Sequence, residues 1–143
     1  GGEDEKNEFK PHNYMREQVV YTGTHDNDTT VGWWSASAAG DSTRSLDDVA
    51  KEQRDARLYL DTDGAEIHWT LIRAALASVA DTALVPMQDV LGLGSDARMN
   101  LPGRESGNWK FRFRWDQLTK DMTKRLARLN RMFDRSPRGQ AQP

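Results

Sequence analysis

The chain has 143 residues, a net charge of −2 and a hydrophobic content of 36%, with a mean hydropathy of −0.83; this bounds it to one domain, or a piece of a larger one, with a lean core. It has no cysteine, which excludes a disulfide framework and a thiolate metal site and is compatible with a cytoplasmic location. No apolar run of about 18 residues is present to span a membrane, and the opening stretch Gly1 to Lys10 has no apolar signal region and does not read as a natural start.

Residues 1–17 are polar, contain Pro11 and read as a loop. Val19-Val20-Tyr21-Thr22 is β-branched and aromatic and predicts a strand over 19–22. It empties into Gly23-Thr24-His25-Asp26-Asn27-Asp28-Thr29-Thr30, a stretch too polar for a core. Ser45 with Asp48 three residues on signals a helix start. A helix over 46–59 follows, with Leu46, Val49, Ala50 and Ala56 on one side. Asp63 and Glu66 repeat the start signal for a helix over 65–80, whose broad apolar face of Ile67, Leu71, Ile72, Ala75, Leu76 and Val79 predicts deep packing. Ala83 to Leu91 is a second strand candidate, although Pro86 argues against a central position because it cannot donate to a ladder. Glycines and Pro102 mark a long loop over 92–107, then the aromatic stretch Trp109 to Trp115. A last helix over 118–133 carries Met122, Leu126, Leu129 and Phe133 at helical spacing.

Charge divides along the chain. Residues 1–97 hold 8 Lys and Arg against 18 Asp and Glu, whereas residues 98–143 hold 12 against 4. A basic end is compatible with an anion or nucleic-acid site, but the plainer reading is the solvated face of an amphipathic helix. The order strand, helices, strand, helix predicts an α/β fold with parallel strands joined by helical crossovers. Two strands cannot close a sheet, so apolar surface meant for further neighbours is expected.

In α/β folds ligands sit beyond the carboxyl ends of the strands. Both strand candidates end in carboxylates, Asp26 and Asp28 after the first and Asp89 after the second, with His25, Asn27 and Gln88 beside them. Neutral hydrogen-bonding groups next to carboxylates suit a polyhydroxyl ligand, since each sugar hydroxyl both donates and accepts. The five tryptophans fit either sugar stacking or an ordinary core role.

The segment Tyr21 to Thr30, followed by Gly32-Trp33-Trp34, resembles the signature of the 4-α-glucanotransferases, also called amylomaltases or disproportionating enzymes. Pro86 to Gly94 is similar to their last barrel strand. Ala97-Arg98-Met99-Asn100-Leu101-Pro102-Gly103 with Gly107-Asn108-Trp109 is similar to the loop after it. The resemblance implies the C-terminal portion of an elaborated (β/α)8 TIM barrel, its last two strands and their helices, with residues 1–135 as partial catalytic barrel and 136–143 as a disordered tail. It implies a retaining transfer of α-1,4-glucan segments between maltooligosaccharides, with no cofactor or metal. Asp26 maps onto the carboxylate that stabilises the transition state and His25 onto its sugar-binding neighbour. Asn108 resembles a loop asparagine near the donor site. Gln88 and Asp89 are placed either among the substrate-binding groups or as supports behind them, with a helix cap as the alternative. The nucleophile and the acid/base belong to earlier strands of that family, so the rest of the barrel is required. No nucleic-acid or membrane partner is expected.

Two other readings use the same residues. Gly23-Thr24-His25-Asp26 is faintly similar to a metallophosphoesterase segment, but such sites need several further ligands and only His12 and His68 remain as histidines. A glucan-binding remnant without catalysis needs only the polar loop and the tryptophans.

Overall fold

The computed structural model describes residues 6–35 and 45–137. Strand β1 (Val19–Tyr21) pairs in parallel with β2 (Thr82–Leu84), in the register Val19 to Thr82, Val20 to Ala83 and Tyr21 to Leu84. Helices α1 (Thr30–Ser35), α2 (Leu46–Leu60) and α3 (Ile67–Ala77) lie between the strands in sequence; α4 (Met87–Val90) and α5 (Lys120–Met132) follow β2. The α/β order and the parallel pairing agree with the sequence expectation.

The second strand is a correction: it ends at Leu84 rather than Leu91. Pro86 carries no N–H for a ladder, but its φ of −59° is preset for a helix entry, so Met87–Val90 form a helical turn. Asp89 therefore projects from a helix and not from a strand end. The short helix α1 was not foreseen. Its start is written in the polar stretch before it: the Thr29 hydroxyl accepts from the Gly32 N–H at 3.0 Å, an N-cap geometry.

Around α2 the expected capping box is present, with Asp48 N–H donating to Ser45 Oγ and Ser45 N–H to Asp48 Oδ2, both at 3.1 Å. The second start signal works differently. Asp63 accepts from the Ala65 N–H, and Glu66 makes no cap bond, so α3 begins at Ile67 rather than near 65. Its packing is as expected at Ile67, Ile72, Ala75 and Leu76, but the helix ends at Ala77 rather than 80 and Val79 beyond it is 51% exposed. Trp69, Ile72 and Leu76 of α3 form the main core with Val90 and Leu129. The predicted stripe packs on this core through Met122, Leu126 and Leu129 of α5 and Phe133 at its C-cap. Each such side chain taken from water contributes roughly 1.5–3 kcal/mol before entropy is charged against it.

The basic end is solvated at Lys120, Lys124, Arg128 and Arg131, but two arginines have structural work. Arg125 lies 4.7 Å over the Trp69 ring and forks onto Glu66 at 2.8 and 2.9 Å, holding that carboxyl below its usual range. Beyond α5, Asp134 takes a left-handed φ of 54°. The Arg135 N–H reaches Asn130 O at 2.8 Å and the Asp134 N–H reaches Arg131 O at 3.2 Å, a Schellman termination. The turn aims the Arg135 guanidinium at the end of α3, where it donates to Leu76 O, Ser78 O and Ala80 O at 2.7, 3.0 and 2.7 Å. A cation on the carbonyls that a helix C-terminus leaves unpaired is favourable in both hydrogen bonding and dipole terms. Of the expected tail, residues 138–143 lie outside the described residues.

The sheet is two strands wide among the described residues, and Val19, Tyr21 and Leu84 are each nearly half exposed. Open edges flanked by apolar side chains pair with other chains. The isolated chain is expected to self-associate, with weak protection of the amides of β1 and β2. Light scattering and hydrogen exchange check this; a monodisperse monomer with strongly protected strands would show that the sheet needs no further partner.

Candidate active site

The site grows from the carboxyl end of β1. A loop from Gly23 to Thr29 leaves the strand and returns as α1, and both ends of it are fastened to Asp89. The Thr22 hydroxyl donates to Asp89 Oδ2 at 2.6 Å; the Thr30 N–H donates to Oδ1 and the Thr30 hydroxyl to Oδ2, each at 2.9 Å. Asp89 is 2% exposed. A buried carboxylate persists only with donors on its oxygens, and here one donor is an otherwise unpaired N–H of the first turn of α1. Asp28 adds a second anion at the same helix start: Oδ1 accepts from the Thr29 N–H and Oδ2 from the Ser95 hydroxyl, both at 2.7 Å. Gly32 makes room for that pair, since a Cβ there would stand 2.5 Å from Asp28 Oδ1 and from Ser95 Oγ.

Inside the loop, Asn27 Oδ1 accepts from both the N–H and the hydroxyl of Thr24 at 2.8 Å, which closes a tight turn. The turn lifts His25 and Asp26 outward. Their side chains are 55% and 52% exposed, and His25 Nε2 stands 3.4 Å from Asp26 Oδ2. Asp26 Oδ1 accepts from Asn100 Nδ2 at 2.6 Å. The His25 ring lies 5.1 Å from the Trp109 ring. Asp26 borders an open cleft whose lining also includes Tyr21, Trp33, Arg98 and Arg104.

The other expected site residues take supporting positions. Asn108 braces the long loop: Oδ1 accepts from the Leu101 N–H at 2.9 Å and Nδ2 donates to Arg104 O at 3.0 Å. Gln88 is buried and donates to Ala97 O at 3.2 Å. Thus His25 and Asp26 face open space together, while Asn108, Gln88 and Asp89 hold backbone and loop ends. Among the tryptophans, Trp69 is in the core and Trp34 packs on Gly64 beneath Arg57. Trp109 stands over His25 with a left-handed φ of 62°, a conformation that a bulky residue adopts only when its surroundings enforce it. Thr22, Thr30, Arg98 and Asn100 were not singled out from sequence. The third motif contains Arg98 and Asn100, but no spacing rule couples them to Asp26.

Neither remaining histidine approaches Asp26 as a metal site would need. His12 Nδ1 pairs with the Tyr59 hydroxyl at 2.7 Å. His68 packs on Gly92, and its burial keeps the imidazole below the ordinary value of 6.5 and so uncharged at neutral pH. No cluster of three or more metal-ligating side chains occurs among the described residues. No helix among them is long and apolar enough to cross a membrane.

The described residues form an α/β unit with a polar, half-open loop beyond a parallel strand, the place where α/β folds seat their ligands. Comparison with known proteins specifies the class. A family model described as 4-alpha-glucanotransferase matches residues 2–119. The chain is 45% identical over 134 residues to the 4-alpha-glucanotransferase of Synechocystis, covering 92% of this chain and 24% of that protein. It is 41% identical over 135 residues to the Thermus thermophilus 4-alpha-glucanotransferase, covering 91% and 25%. Among solved structures it resembles the amylomaltase of Streptococcus agalactiae in complex with acarbose, with a TM-score of 0.74 and 32% identity, over 89% of this chain and 24% of that one. The chain belongs to the 4-alpha-glucanotransferase family, and it spans about a quarter of the length of these relatives.

The Asp89 contacts yield a prediction. Asp89→Ala strands the Thr30 N–H and two hydroxyls, and is expected to cost about 3 kcal/mol of local stability. Hydrogen exchange at the first turn of α1 reads this directly. Unchanged protection of the Thr30 amide would mean that the loop is held by something else.

Proposed function

We propose that residues 1–135 are the C-terminal portion of a (β/α)8 catalytic barrel that transfers α-1,4-glucan segments between maltooligosaccharides with retention of configuration. In this reading the nucleophile and the acid/base come from outside this chain, and Asp26 is the third carboxylate. The observation that carries it is the state of Asp26: half open, one oxygen tied to Asn100 and the other near His25, at the end of a clamped loop. Family membership and the likeness to an amylomaltase in complex with acarbose support it.

The chemistry follows from charge. Retaining transfer passes through an oxocarbenium-like state, and contacts to sugar hydroxyls beside the reacting carbon strengthen as that state forms. A fixed carboxylate whose free oxygen meets those hydroxyls favours the developing positive charge without reorganising. We assign His25 to a neighbouring hydroxyl, with Trp109 setting its ring plane. Asn108, Gln88 and Asp89 serve the substrate through the loops they hold.

Asp26→Asn in the complete enzyme that carries this segment tests the reading. The substitution keeps shape and removes a charge felt mainly in the transition state. With maltotriose, kcat should fall roughly 10²-fold or more, with a much smaller change in KM. Near-normal kcat would remove Asp26 from the catalytic role and leave a glucan-binding loop.

A further inference from the structure

Two segments meet behind Asp26, and Arg98 joins them. The half-buried Arg98 side chain donates from Nη2 to the main-chain carbonyl of Asp26 at 2.6 Å and from Nε to the carbonyl of Asn100 at 2.8 Å. The Asn100 N–H donates to His25 O at 3.1 Å, and its amide group reaches the Asp26 carboxylate at 2.6 Å. Trp109 completes the junction, its N–H donating to Met99 O at 2.7 Å while its ring lies on His25. Residues 25–26 and 98–100 thus form one unit across more than seventy residues of sequence.

The choice of acceptors is informative. A guanidinium beside a carboxylate ordinarily forks onto it, as Arg125 does onto Glu66. Arg98 instead takes two backbone oxygens, one from each segment. This fixes the Asp26 backbone and brings the Asn100 amide to Oδ1, yet it leaves the Asp26 charge unpaired with the cation and Oδ2 clear of it. A stabilising carboxylate requires its position held and its charge unspent. We infer that Arg98, which lines the cleft beside Asp26, is a positioning residue for Asp26, acting through the main chain and Asn100, and that it sets kcat rather than KM. The inference rests on the catalytic reading of Asp26 given above.

A double-mutant cycle in the complete enzyme separates this role from a structural one. Arg98→Met, Arg98→Lys, Asp26→Asn and the Arg98→Met, Asp26→Asn pair are compared for kcat and KM with maltotriose. Arg98→Met should lower kcat roughly 10- to 100-fold, the scale of an ångström-sized misplacement, with KM within about threefold. In the Asp26→Asn background the same change should cost less than about threefold, because the charge it orients is gone. Arg98→Lys should recover part of the loss, since an ammonium reaches one carbonyl but cannot span both. If Arg98→Met does not fold, Arg98→Lys carries the cycle, and its kcat loss should likewise vanish with Asp26→Asn. Near-normal kcat in the Arg98 variants while Asp26→Asn is crippled would overturn the inference. So would a penalty that multiplies in full in the double variant. Near-normal kcat in Asp26→Asn itself would overturn the functional reading, and this inference with it.

Discussion

One buried carboxylate organises the loop that carries the candidate site. Asp89 accepts from Thr22 where β1 ends and from Thr30 where α1 begins. Those two residues are the gateposts of the loop that carries His25 and Asp26. A seven-residue loop with free ends would sample many conformations, at an entropic cost of roughly 1–2 kcal/mol for each residue that must be fixed. With both ends bound to one side chain and Asn27 closing the turn within, most of that ordering is complete before any ligand arrives. The anion also meets the positive end of α1, so the helix start and the loop stabilise each other.

The two aspartates show how burial divides labour among like groups. Asp89 has its oxygens engaged and its charge used by the fold, whereas Asp26 is half exposed, with Oδ1 on Asn100 and Oδ2 3.4 Å from His25 Nε2. Arginines divide in the same way. Arg125 is spent on a carboxylate and a ring, Arg135 on the end of α3, and Arg98 on two carbonyls behind the site. The charge asymmetry between the acidic and basic stretches is therefore partly internal wiring: Arg125 of α5 reaches Glu66 before α3, and Arg135 after α5 reaches the far end of α3.

Periodicity made the helices legible. The box at Ser45 and Asp48 stands where the pattern placed it, and α3 and α5 lie within the expected spans with trimmed ends, because those signals are local. The strand pairing was legible from order alone. The apolar run from Ala83 to Leu91 favours a strand and Pro86 opposes one; the backbone follows the proline. Helix α1 was hidden because its cap donors and acceptors sit in a stretch whose polarity reads as loop, and one of its anions is Asp89, far away in sequence. The placement of His25 and Asp26 together on a polar loop beyond a strand was legible in the sequence. The supports of that loop were not, since the contacts of Arg98 and Asn100 with Asp26 are long-range and leave no spacing in the sequence.

The account turns on which carboxylate a sugar meets. A crystal structure of the complete enzyme carrying this segment, with acarbose bound, addresses that most directly. The account predicts an inhibitor hydroxyl within hydrogen-bonding distance of Asp26 Oδ2, with the Asn100 contact to Oδ1 kept and Asp89 still sealed by Thr22 and Thr30. An inhibitor seated on Asp89, or one bound without touching Asp26, would contradict it.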